Sequence, residues 1–323
     1  MTYILVPLDG SALAEKALPL DIAIARLTSS ELILLRVVPP RTGVEAPTEV
    51  TAQSGQTSQS SQAGRMAAKW QEEVSGAREY LDQIAGKLRE AGLQVRMEIV
   101  NGAPAAAIVE YAERDPEVWL IGMATRHCNL DRPRASWAFG SVAEKVLHTA
   151  HKPVLLIRPS TEYEVQGYRR DTPINKIIVP LDGSRFAEGA LPQASHLALV
   201  TGAVLVLIYA VAPHDNHTIE QVEHFPGSAD IARGYEATRM SRYLADIALQ
   251  LRGEGLDVLT QLVYGYPAES ILSTAGQLQG DLIVMAARTR SDRERLWLGS
   301  VAQKVAQGST LPILIQMGMR NVG

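Results

Sequence analysis

The chain has a single cysteine, Cys128, in 323 residues, so no intrachain disulfide can form. That fits a reducing compartment. No apolar run approaches the ~20 residues that a membrane-spanning helix needs. The run VLVLIYAV at 204–211 stops far short. The first residues, MTYILVPLDG, carry neither a basic segment nor a small-residue cleavage site, so no signal peptide is read there. We therefore expect a soluble, cytoplasmic protein with no membrane partner. An excess of positive charge is missing too. The formal net charge is -4 and the pI is near 6.0, which argues against nucleic acid as a partner.

Several catalytic signatures are also absent. There is no Gly-x-x-x-x-Gly-Lys-Ser/Thr loop and no Gly-x-Ser-x-Gly elbow. Asp-Gly-Ser occurs, but the Ser-Gly-Gly-x-Asp-Ser run of ATP pyrophosphatases does not. No residue set reads as a general acid and base aimed at one point, so efficient catalysis is not expected. Cys128 has no base partner nearby in sequence to make it a nucleophile. His214, Asp215, His217 and His224 lack the regular spacing of a metal site, and none is expected.

What the chain does have is a repeat. Residues 4–11 read ILVPLDGS and residues 177–184 read IIVPLDGS. Ala17-Leu18-Pro19 is answered by Ala190-Leu191-Pro192, a proline set in a helical pattern in both halves. Leu120-Ile121-Gly122-Met123-Ala124 is answered by Leu282-Ile283-Val284-Met285-Ala286. Gly140-Ser141-Val142-Ala143 is answered by Gly299-Ser300-Val301-Ala302. The order is collinear, which indicates duplication. A hydrophobic content of 46% suffices for two cores, one in 1–160 and one in 174–323, joined by a linker at 161–173.

Each copy alternates short apolar runs with stretches of helical spacing. In copy one the runs are ILVPL, LILLRVV, VRMEIV, VWLIGMA and VLLIRP, with helical spacing at 65–91 and 103–113. Strands alternating with helices imply βαβ units, and near-continuous apolar strands imply a parallel sheet buried on both faces. The fold class is α/β, with two tandem doubly wound five-stranded parallel sheets. Residues 40–63, rich in Ser, Thr, Gln, Gly and Pro, read as a mobile loop, and 212–228 as its shorter counterpart.

An apolar first strand running into VPLDGS, a fourth strand ending in Met-Ala and a helix opened by Gly-Ser-Val-Ala resemble the universal stress protein domain. The resemblance covers nearly the whole chain, twice. It implies strand order 3-2-1-4-5 and an intramolecular pseudo-dimer with Val154–Ile157 and Ile313–Ile315 near the axis. It implies a stress-response or signalling protein that binds adenine nucleotide, ATP with or without Mg, where strands one and four part. A protein partner and a further homodimer are also within the family's pattern. The implied contacts are Asp9, Val37, Met123, Ala124, His127, Gly140, Ser141 and Val142 in copy one. In copy two they are Asp182, Ala210, Met285, Ala286, Thr289, Gly299, Ser300 and Val301.

The physical logic is that ligands sit beyond the carboxyl ends of parallel strands, with phosphate at a helix N-terminus. The alternative for Asp9 and Asp182 is a turn cap, with Ser11 and Ser184 as N-caps. For the Gly-Ser pairs it is a capping box, Ser141 with Glu144 and Ser300 with Gln303. The family's ATP loop has Gly-x-x-Gly, nine residues and Gly-Ser/Thr. Here Ala124 and His127, then Ala286 and Thr289, stand at the first two glycines. Copy two keeps the nine-residue spacing, 290–298, whereas copy one is about three residues longer, so copy two ranks first. Arg126, Arg132 and Arg134, then Arg288, Arg290, Arg293 and Arg295, are candidate phosphate contacts. A scaffold that has lost ATP binding and works through protein–protein interaction remains the alternative, and a slow ATP hydrolase a third.

Overall fold

The computed structural model describes residues 1–38, 56–125, 140–158, 174–213, 228–287, 289–292 and 295–317. The linker expected at 161–173 and loop residues 40–55 lie outside them. So do His127, Cys128, the four-residue group from His214 to His224, and Arg126, Arg132, Arg134, Arg288 and Arg293.

Copy one runs β1 (Tyr3–Pro7), α1 (Ala12–Glu15), α2 (Leu18–Thr28), β2 (Glu31–Val38), α3 (Gln56–Glu90), β3 (Val95–Asn101), α4 (Pro104–Arg114), β4 (Val118–Ala124), α5 (Ser141–Thr149) and β5 (Val154–Ile157). Copy two runs β6 (Lys176–Pro180), α6 (Arg185–Glu188), α7 (Leu191–Thr201), β7 (Val204–Val211), α8 (Ser228–Gly253), β8 (Val258–Tyr264), α9 (Pro267–Gln277) and β9 (Leu282–Ala287). It ends with β10 (Thr289–Asp292), β11 (Arg295–Leu298), α10 (Ser300–Gly308) and β12 (Ile313–Met317).

Ten strands form one sheet in the order β3-β2-β1-β4-β5-β12-β9-β6-β7-β8. Counted within its own copy, each half is 3-2-1-4-5. The halves meet through antiparallel fifth strands, with Leu314 opposite Leu155 and Ile315 opposite Val154. Helices cover both faces, and the apolar cluster on each face draws residues from both copies. The pseudo-dimer therefore has a shared core rather than two cores in contact.

Two local readings change. Pro19 and Pro192 do not interrupt a helix. They sit in the first turns of α2 and α7, after the short α1 and α6 have ended. A proline is tolerated there because the first N–H groups of a helix have no intrahelical partner. The loop read at 40–63 gives way to helix from Gln56, so 56–63 belongs to α3. Once a helix is nucleated, extension costs little, and QTSQSSQA contains no proline or glycine to stop it.

Side chains cross the seam. The Trp119 ring meets His196 edge-on at 6.0 Å, while its Nε1 donates to Ser30 Oγ at 3.1 Å. Arg158, buried at the end of β5, donates through Nη2 to the carbonyls of Ala306 and Gln307, the latter at 2.7 Å. These carbonyls end α10, where the backbone is short of donors and the helix dipole favours a cation. Arg158→Met is expected to cost about 1.5–3 kcal/mol, the scale of hydrogen bonds to a charged group. Chemical denaturation measures it, and an unchanged midpoint would mean that the seam does not depend on this contact.

The copies also differ inside. Asp21 of α2 is fully buried, and neither carboxyl oxygen has a hydrogen-bond partner among the described residues. It lies over Gly122 of β4, where an added Cβ would overlap the carboxyl group. Burial pushes the Asp21 carboxyl well above the usual carboxylate range. The corresponding residues of copy two are Ala194 and Val284, both buried and apolar.

Candidate functional site

The first strand of each copy stops at a proline, and the chain turns through Leu-Asp-Gly-Ser into a short helix. Ser11 is the N-cap of α1, its side chain accepting from the Ala14 N–H at 3.2 Å. Asp9 Oδ1 accepts from the backbone N–H of Ser11 at 2.9 Å and from its hydroxyl at 2.5 Å. Copy two repeats this. Asp182 Oδ1 accepts from the Ser184 N–H at 2.9 Å and its hydroxyl at 2.5 Å, and Ser184 caps α6. Gly10 and Gly183 have φ of +83° and +79°, a left-handed turn that favours glycine. So each aspartate caps its turn while remaining exposed at the sheet's rim.

Burial alone would raise the Asp9 carboxyl. The Ser11 hydrogen bonds and the nearby Arg36 guanidinium outweigh it, and Asp9 is held below the ordinary range. Arg36 Nη1 also donates to Leu8 O at 3.3 Å.

A cavity of about 460 Å³ opens beside Asp9, at the carboxyl ends of β1, β2 and β4. Leu35, Val37, Ile108 and Met123 are among its apolar lining, and Asp9, Ser11, Gly140 and Ser141 among its polar lining. Ala124 and Val142 line it as well. Of the copy-one residues singled out from the sequence, seven line this one space: Asp9, Val37, Met123, Ala124, Gly140, Ser141 and Val142. His127 lies outside the described residues.

The capping-box reading does not hold. Gly140 itself is the N-cap of α5, with φ +89°, and among the described residues there is no side-chain cap hydrogen bond. Gly299 likewise caps α10 without one. Ser141 and Ser300 are already the first helical residues, one position too far along to reach back over the first turn. Among the described residues, no side chain caps the first-turn N–H groups of α5, which lie beside the cavity wall.

In copy two the matching residues lie at corresponding places. Asp182 is exposed, Ala210 half-buried near the end of β7, and Met285 buried at 5% exposure near the end of β9. Ala286 follows in β9, and Gly299, Ser300 and Val301 open α10. Thr289 is the first residue of an antiparallel hairpin in which it faces Leu298 and Asp292 faces Arg295. Two of the candidate phosphate-contact arginines, Arg290 and Arg295, thus lie on paired strands. The sequence signal for this pairing is the β-prone Leu296-Trp297-Leu298, separated from Thr289-Arg290-Ser291 by a charged stretch. Copy two ranked first on loop spacing, whereas the cavity described here belongs to copy one. Among the described residues no group of three or more His, Cys, Asp or Glu side chains could hold a metal ion, and no helix is long and apolar enough to cross a membrane.

Comparison with known proteins gives the same picture at the level of family. The model of the universal stress protein family matches residues 1–158 and again 173–316. The universal stress protein YxiE of Bacillus subtilis is 33% identical over 147 residues, covering 44% of this chain and 97% of YxiE. The universal stress protein Rv2623 of Mycobacterium tuberculosis is 24% identical over 317 residues, covering 97% of this chain and 95% of its own. Among solved structures, a universal stress protein from Archaeoglobus fulgidus superposes with a TM-score of 0.64 at 20% identity, covering 97% of both chains. Matched twice along its length and folded in the same way, the chain belongs to the universal stress protein family.

Proposed function

We propose that the chain binds adenine nucleotide, ATP with or without Mg, in the copy-one cavity, and that occupancy serves stress response or signalling rather than catalysis. The observation that carries this is the convergence of seven sequence-selected residues on one cavity of about 460 Å³. That volume is within the usual range for small-molecule sites. Val37 and Met123 offer an apolar wall for a base, and Asp9 an acceptor for hydroxyl or amino donors. The start of α5, opened by Gly140, offers N–H groups to phosphate.

The test is calorimetric titration of nucleotide-stripped protein with Mg-ATP. Asp9→Ala is expected to weaken the copy-one site by about 1–3 kcal/mol, the cost of losing a charged hydrogen bond. Asp182→Ala is expected to do the same to any site in copy two. One equivalent of binding that Asp9→Ala abolishes would assign the site to copy one. No heat at millimolar ATP would sink the nucleotide reading. The scaffold reading would then stand, favoured by the hairpin that holds Thr289 where the family's ATP loop has glycine.

A further inference from the structure

The two Leu-Asp-Gly-Ser turns have the same shape but rest on different supports. Beneath Gly10 lies the Arg36 guanidinium, whose Nη1 stands 3.3 Å from where a Cβ would be. Its Nε is buried with no hydrogen-bond partner among the described residues. Beneath Gly183 lies the Met240 thioether, with Sδ 3.2 Å from the Cβ position.

The exchange is paired. Arg36 is the sixth residue of β2, and Tyr209 is the sixth of β7. Tyr209 donates from its hydroxyl to Glu236 Oε1 at 2.7 Å instead of reaching under the turn. Met240 stands three residues before Tyr243, which donates to Glu188 at 3.0 Å. Its counterpart is Ala77, three residues before Tyr80, which donates to Glu15 at 3.1 Å. A small residue in α3 makes room for the arginine. A large one in α8 fills that room.

We propose that Arg36 is a positioning residue of the copy-one cavity: it braces the Leu8–Gly10 turn from below, so that Asp9 is presented to a ligand by a charged support which copy two has exchanged for an apolar one. The two copies are therefore not equivalent binding sites. The ligand side of the proposal rests on the nucleotide reading above. The chemistry Asp9 would meet is a hydrogen-bond donor, a hydroxyl or an amino group. Among the described residues, the charged and titratable groups around Asp9 are Arg36 from β2, Tyr80 from α3 and, beyond Tyr80, Glu15 from α1.

The experiment compares Arg36→Met, Arg36→Lys and the double exchange Arg36→Tyr/Ala77→Met in the full chain carrying Asp182→Ala, which leaves copy one as the site under study. Two quantities are read: the carbon-13 titration of the Asp9 carboxyl and the affinity for Mg-ATP as a function of pH. In Arg36→Met the Asp9 midpoint is expected to rise toward the ordinary carboxylate value, so affinity is lost at a higher pH on acidification. Affinity near neutrality is expected to fall about tenfold, the scale for one misplaced charged hydrogen bond. Arg36→Lys is expected to restore most of both. The double exchange supplies copy two's packing, so a fold defect in Arg36→Met alone does not stand in for the result. An Asp9 titration unmoved by Arg36→Met, or unrestored by Arg36→Lys, would overturn the bracing role. If the parent protein binds no ATP, the nucleotide reading falls by itself, and the Asp9 titration still decides whether Arg36 supports the turn.

Discussion

Asp21→Ala is expected to raise the stability of the chain, with a gain that widens as pH rises. Both oxygens of Asp21 are buried without a partner among the described residues, so burial favours the protonated carboxyl in the folded state. In the unfolded chain it ionises at its ordinary value. Its folded pKa is thus raised, and the stability it permits is full below the unfolded pKa. As pH climbs from there towards the folded pKa, the unfolded state releases a proton that the folded state retains. Stability then falls by about 1.4 kcal/mol per pH unit for one such group. Asp21→Ala removes that slope and also removes an unsatisfied polar group that costs about 1–3 kcal/mol.

The partner test uses Gly122. Gly122→Val overlaps the Asp21 carboxyl and is expected to cost about 1–3 kcal/mol in the parent protein, as overpacking does. In the Asp21→Ala background it rebuilds the Ala194–Val284 pair of copy two and is expected to cost little or nothing. Thermal midpoints from pH 5 to 8 would decide. A pH profile that Asp21→Ala leaves unchanged, or a Gly122→Val cost equal in both backgrounds, would remove the coupling.

The second large effect is at the seam. Leu314 and Leu155 face each other across the antiparallel pair, and both are fully buried. Leu314→Asp places an unpaired charge in a core that both copies share. A loss of more than about 4 kcal/mol is expected, in the range of cavity and buried-charge effects combined. Because each apolar cluster runs through both halves, calorimetry should show one unfolding transition in the parent protein. Two separated transitions, or a copy one that stays folded in Leu314→Asp, would mean that the halves are energetically independent.

The sheet was legible because parallel strands are buried on both faces, and runs such as ILVPL and LILLRVV carry no polar alternation. The repeated LDGS turn and the Met-Ala strand ends marked the cavity, since a switch point exposes the carboxyl ends of strands one and four. Less could be read where the deciding contact is distant in sequence. Asp21 looks like a favourable acid in a helix's first turn. Only the approach of α2 to Gly122 reveals it as a buried group, unpaired among the described residues. Arg36 reads as a polar interruption of a strand until the turn above it is seen. Among the described residues, the copy-one cavity walls come from strand ends, α1, α4 and the start of α5. The capping box failed by one residue, a shift that motif spacing does not resolve.

The antiparallel seam has a consequence for any molecule that reads this protein. Strands of one half point opposite to those of the other, so their carboxyl ends emerge on opposite rims of the sheet. The Asp9 mouth and the Asp182 turn therefore look out in opposite directions. A compact partner docking at one rim senses only one of them, while a partner that senses both must reach around the molecule. Because the halves are covalently joined, this two-way arrangement survives dilution, which a pair assembled from separate chains would not.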